Sequence, residues 1–144
     1  MPAIACTGHD GSVTTPTLEW ADDHIRIIDQ TLLPGEVRVL EIRTEGAAAD
    51  AIQRLAIRGA PALGAFGALA VVVALDEANP ASVADALSHL DGVRHSIGDA
   101  RPTAVNLRWA VDRVINRGHS AAVRSVADLR TALLDEALTV NRED

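Results

Sequence analysis

Two periodicities divide this chain. From Thr17 to Arg43 apolar and polar residues alternate: Ile25 and Ile27 against His24 and Arg26, then Val37 and Val39 against Glu36 and Arg38. A period of two predicts strands with one buried face, and Pro34-Gly35 between the runs is a turn signal. Connections this short predict antiparallel neighbours. After Arg43 the period becomes helical. A first helix is expected from about Gly46 to Ile57, with Ala48, Ile52, Leu55 and Ala56 on one face, stopping at Gly59. A second starts at Pro61 and is apolar on every side to Leu75, which predicts a central helix surrounded by others. Ser82 and Asp85 form a capping signal for a third helix, striped by Val83, Leu87, Leu90 and Val93 and ending near Gly98. A fourth is expected from Pro102 to Arg117, burying Leu107, Val111, Val114 and Trp109. Ser125 and Asp128 cap a fifth, with Leu129, Leu133, Ala137 and Val140 inside. The fold class predicted is α+β: a small antiparallel sheet followed by a bundle of four or five helices. Residues 1–16 show no periodicity and read as a flexible tail, leaving 17–144 as one domain.

The chain's 144 residues suffice for one self-contained core, burying about 70% of the unfolded surface. The apolar stretch from Ala60 to Leu75 contains Gly64 and Gly67 and falls short of the about 18–20 residues a bilayer demands, so a core helix is expected there. Net charge is −7, and no segment concentrates basic residues, which argues against nucleic acid as a direct partner. All 13 basic residues are arginine, which removes Schiff-base and lysine-base chemistry. Phe66, Trp20 and Trp109 are the only aromatics, too few for a base-stacking platform. The single cysteine, Cys6, rules out an intrachain disulfide, and the five histidines show no metal-ligand spacing, so no metal site or cofactor is called for. No secretory signal or membrane-spanning run is expected, which makes the cytoplasm the default location.

Two arginines carry the candidate chemistry. Arg58 stands in Arg58-Gly59-Ala60-Pro61-Ala62-Leu63-Gly64, and Arg101 in Arg101-Pro102-Thr103-Ala104-Val105-Asn106-Leu107. Proline favours the first helical position, so each arginine is expected just before a helix start, at the positive end of the helix dipole. A cation is disfavoured there unless an anion bridges it to the free backbone amides, and phosphate is the natural anion. Against this, Asp99 lies two residues from Arg101 and could neutralise it at the surface. Arg108, Arg113 and Arg117 read as a solvated helix face, with Asp112 and Arg108 as a pair.

These two heptapeptides resemble the N-terminal half of the methylthioribose-1-phosphate isomerase family, which is related to translation initiation factor 2B subunits. The resemblance extends to the Trp20 region, to Asp29-Gln30-Thr31-Leu32-Leu33-Pro34 and to residues 136–144, covering 17–144 in one register. It implies conversion of S-methyl-5-thioribose 1-phosphate to the corresponding ribulose 1-phosphate in methionine salvage, with Arg58, Gly59, Ala60 and Arg101 contacting a sugar phosphate. It also implies a homodimer when complete. The family's catalytic cysteine and aspartate belong to a second, Rossmann-like half that these 144 residues do not include, and Cys6 precedes the Arg58 motif and cannot be that cysteine. The resemblance therefore implies no catalytic residue here and an isolated chain that is inactive. A noncatalytic subunit like those of initiation factor 2B, or a ribose-1,5-bisphosphate isomerase, are the alternatives it leaves open.

Overall fold

The computed structural model describes residues 17–54, 56–57 and 59–143. The expected tail, residues 1–16, and Arg58 lie outside them. Three strands, β1 (Leu18–Trp20), β2 (Ile25–Ile28) and β3 (Val39–Ile42), form an antiparallel sheet in the order β1-β2-β3. Leu18 pairs with Ile27 and Trp20 with Ile25, while Ile25 and Ile27 face Ile42 and Leu40 across the next ladder. That register places Leu40 and Ile42 on the core side. Val37 and Val39, expected inside, are exposed, because an alternating run is equally consistent with either face until its partner strand fixes it. Between β2 and β3 a 3-10 turn, Gln30–Leu32, is capped by Asp29, whose Oδ1 accepts from the Thr31 amide (2.9 Å) and hydroxyl (2.5 Å).

Five helices follow among the described residues: α1 (Glu45–Gln53), α2 (Ala60–Ala78), α3 (Val83–Ser96), α4 (Val105–Ser120) and α5 (Val126–Glu143). The α+β reading of the sequence holds. Helix α2 is the hub, contacting every other helix and strands β1 and β2. It is longer than its uncharged stretch suggested. Pro61–Ala78 has the length and hydropathy of a membrane span, yet 72% of it is buried inside the fold, as the core helix of a bundle should be. Gly64 and Gly67 permit the α2–α4 approach. A Cβ on Gly64 would lie 3.3 Å from the Asn106 carbonyl oxygen, and one on Gly67 would lie 2.5 Å from Leu107 Cδ1.

Several boundaries differ from expectation for identifiable reasons. Helix α1 ends at Gln53 rather than Ile57, closed by the Ala56 amide donating back to the Ala51 carbonyl (2.9 Å). Ala56 and Ile57 are buried beyond the helix instead of on it. Pro102 does not open α4. It occupies a turn closed by the Ala104 amide on the Arg101 carbonyl (2.9 Å), and the helix begins three residues later. A fixed φ near −65° suits the second position of a turn as well as the first of a helix. Trp109, expected inside, is 56% exposed, because the buried stripe of α4 is Leu107, Ala110, Val111, Val114 and Ile115.

Candidate functional site: an anion cleft between two helix N-termini

Three of the five helices are capped by side chains. Thr44 accepts from the Ala47 amide at α1, Ser82 from Asp85 at α3 and Ser125 from Asp128 at α5, all at 3.0–3.1 Å. The other two have no side-chain cap: Gly59 stands at the N-cap of α2 and Ala104 at the N-cap of α4. Both residues line one cleft of about 360 Å³, together with Leu63, Arg101, Thr103, Val105, Asn106 and Leu107. The two helices whose first amides lack a side-chain acceptor are thus the two that meet there.

Gly59 has φ 93° and ψ 138°, a conformation reserved in practice for glycine. It turns the chain from the buried Ala56-Ile57 segment into α2. Pro61 has no N–H, and the Leu63 amide already donates to the Gly59 carbonyl (2.9 Å), which leaves the Ala60 and Ala62 amides without an intrahelical acceptor. The first amides of α4, from Val105 to Leu107, are in the same position, since the Arg108 amide is the first to find the Ala104 carbonyl. Two positive dipole ends therefore converge on one space.

Arg101 is half-buried in the cleft wall, and its guanidinium forms no hydrogen bond or ion pair with the described residues. The carboxylate expected to neutralise it is engaged elsewhere. Asp99 accepts from Arg108 Nη1 (2.5 Å) and sits 3.1 Å from His95 Nδ1. These two neighbours, His95 first, hold the Asp99 carboxyl below its usual range. Asp99 and then Asp112 hold the Arg108 guanidinium above its own. Asp112 is shared with Arg94, at 2.8 Å from Nη1, so the pair expected between Arg108 and Asp112 is one link in a chain that joins α3 to α4.

The structure thus brings Gly59 and Arg101 to one cleft and starts α2 at Ala60 beside them. Arg58, the fourth of the predicted residues, is outside the described set. The α4 amides are a component that sequence reading misplaced by starting the helix at Pro102. The missing signal was the lack of Ser, Thr, Asp or Asn at position 104. A second cavity, also about 360 Å³, adjoins the first through Val105 and Asn106 and is bounded by Pro61, Gly64, Trp109, Ala110 and Val140. Arg113 lies over the Trp109 ring at 5.4 Å and is itself held by Glu136 on α5 at 2.6 Å.

Comparison with known proteins gives the lineage. Over 127 residues the chain is 38% identical to methylthioribose-1-phosphate isomerase of Acetivibrio thermocellus, covering 88% of this chain and 37% of that protein. It is 39% identical over 127 residues to 5-deoxyribose 1-phosphate isomerase of Moorella thermoacetica, with 88% and 36% covered. The crystal structure of translation initiation factor eIF-2B, subunit delta, from A. fulgidus superposes with a TM-score of 0.84 at 37% identity, over 91% of this chain and 38% of that one. The chain accordingly spans less than two-fifths of the length of these relatives. Residues 56–144, which include both arginine motifs and all of α2 to α5, match the family model, and the chain belongs to the initiation factor 2 subunit family.

Proposed function

We propose that this chain forms the sugar-phosphate-binding part of an aldose–ketose isomerase, one that takes S-methyl-5-thioribose 1-phosphate to the corresponding ribulose 1-phosphate. The observation that carries the reading is the convergence of two helix N-termini without side-chain caps on the cleft that holds Arg101. In this reading the phosphate dianion accepts from the Ala60 and Ala62 amides on one side and from the first amides of α4 on the other, with the Arg101 guanidinium as counter-charge. Arg58, adjacent to Gly59 in sequence, joins them by family resemblance. The isomerisation moves a hydrogen between adjacent carbons and needs groups that shuttle it. None of the described residues lining the cleft is a carboxylate, histidine or cysteine. The cleft is therefore a holding surface, and the shuttle groups come from sequence of the kind that makes up the rest of the longer relatives.

Relatives named for 5-deoxyribose 1-phosphate keep a second sugar phosphate in play. Similarity to a solved initiation factor subunit favours a noncatalytic alternative, in which the cleft takes no substrate. Titration calorimetry of the purified chain with S-methyl-5-thioribose 1-phosphate separates these. Saturable binding, absent with the unphosphorylated sugar and weakened about 10- to 100-fold by Arg101→Gln, is expected, since a hydrogen bond to a charged group is worth about 1.5–3 kcal/mol. Equal binding of the unphosphorylated sugar, or an unaltered affinity in Arg101→Gln, would refute it.

A further inference from the structure

The Arg101 guanidinium has no partner among the described residues although a carboxylate sits two residues away, and the reason lies on the next helix. Asp99 belongs to the segment that joins α3 to α4, the same segment that carries Arg101 and Thr103 to the cleft. Its Oδ1 is taken by Arg108 Nη1 at 2.5 Å, and its Oδ2 faces His95 Nδ1 at 3.1 Å. Arg108 is itself oriented from behind, its Nε lying 3.1 Å from Oδ2 and 3.2 Å from Oδ1 of Asp112, one turn further along α4. Asp112 is fixed in turn by Nη1 of Arg94 on α3, whose Nη2 donates to Asn116 Oδ1 at 2.6 Å. The network occupies both oxygens of the carboxylate that stands two residues from Arg101 in the chain.

We propose that Arg108 is a positioning residue for the phosphate cleft: by sequestering the Asp99 carboxylate it keeps the Arg101 guanidinium free to receive an anion. This rests on the assignment of Arg101 to a phosphate site. The guanidinium of Arg108 touches no ligand, and its effect is exerted through Asp99. Removing it releases a negative charge beside Arg101, and an intramolecular ion pair then competes with the ligand. An exposed pair of this kind is worth up to a fivefold effect, about the top of the range measured for surface ion pairs.

The competition can be separated from simple loosening of the segment by a pair of substitutions. Arg108→Gln and Asp99→Asn break the same Asp99–Arg108 ion pair, but only the first leaves a free carboxylate near Arg101. Calorimetric titration with S-methyl-5-thioribose 1-phosphate, and with inorganic phosphate as the minimal probe, should show Arg108→Gln weakened about fivefold. Asp99→Asn should bind at least as tightly as the parent, and the double variant Arg108→Gln/Asp99→Asn should recover the parent affinity. Circular dichroism melting of each variant checks that the fold persists. If Asp99→Asn weakens binding as much as Arg108→Gln and the double variant does not recover, the residues merely tether the segment and the proposal is overturned. If Arg101→Gln weakens binding while Arg108→Gln does not, the role of Arg108 fails and the phosphate site stands. If the parent shows no saturable binding, or Arg101→Gln leaves it unchanged, the site itself is lost and this role with it.

Discussion

Replacing Gly59 by alanine tests the element on which the cleft depends, the abrupt entry into α2. At φ 93° and ψ 138° an L-residue is strained, at a cost of about 1–3 kcal/mol. No atom lies within 4 Å of the position a Cβ would take, so the cost is one of backbone conformation and not collision. Alanine is also a poorer N-cap than glycine by about 0.5–1 kcal/mol. Against these stands a gain of about 0.4–1 kcal/mol from the reduced entropy of the unfolded chain. The balance is about 2 kcal/mol of destabilisation, which for a domain of this size lowers Tm by about 6–10 °C. Gly92 is the internal control. It sits inside α3, has open space around its Cβ position and no positive φ, so Gly92→Ala should stabilise by about 0.5–1 kcal/mol through helix propensity. Urea unfolding followed by far-ultraviolet circular dichroism, with m-values compared, reads both variants. Opposite signs are required. A Gly59→Ala chain as stable as its parent would mean that α2 begins in an ordinary conformation, and the amides assigned to the anion would lose their geometric basis.

Asp29 provides a pH-dependent test. It is buried, and the Thr31 hydroxyl first, then the Thr31 amide and Arg54, hold its carboxyl below the usual range against the opposing cost of burial. A carboxyl whose folded pKa is depressed adds stability that is complete above its unfolded value of about 3.9 and is lost as pH falls through the folded value. The urea midpoint of the parent should therefore drop below about pH 4, and Asp29→Asn should be less stable by about 1–2 kcal/mol at pH 7 with a flatter acid limb; parallel curves would contradict the assignment. The two tryptophans should behave oppositely to truncation. Trp20→Ala, at a fully buried position, should cost about 3–5 kcal/mol, while Trp109→Ala, at a position 56% exposed, forfeits its cation–π contact with Arg113 and partial burial, about 1–2 kcal/mol. Comparable losses measured by urea unfolding would show that Trp109 is part of the core.

Local signals in the sequence were read correctly where the physics is local. Ser82 and Ser125 cap their helices because a hydroxyl needs only an amide three residues on, and the all-apolar run after Pro61 becomes the central helix because it has no polar face to show to water. The strand region was legible as strands and as antiparallel, but not the face of the last one. Only the pairing of Ile25 with Ile42 and Ile27 with Leu40 decides that Leu40 and Ile42, rather than Val37 and Val39, point inward. Pro102 misled for a related reason, since its preferred φ fits two structures and the choice depends on where α4 docks against Gly64 and Gly67.

The site divides along the same line. That Gly59 and Arg101 stand near helix starts can be read from the prolines and glycines around them. That Gly59 and Arg101 share one cleft follows from the packing of α2 against α4 with their N-termini at the same end, which no short-range pattern encodes. The charge state of that cleft is still less legible. By proximity along the chain Asp99 belongs to Arg101, and a count of nearby charges would find the site neutral. In the folded chain Asp99 belongs to Arg108, nine positions away, because the turn at Arg101–Ala104 brings the first turn of α4 back alongside the end of α3. A cleft with two helix N-termini lacking side-chain caps, an arginine unpaired among the described residues and no carboxylate in its described lining is positive by construction. Its charge is set by which arginine the aspartate chooses, and that choice is a property of the fold rather than of the motif.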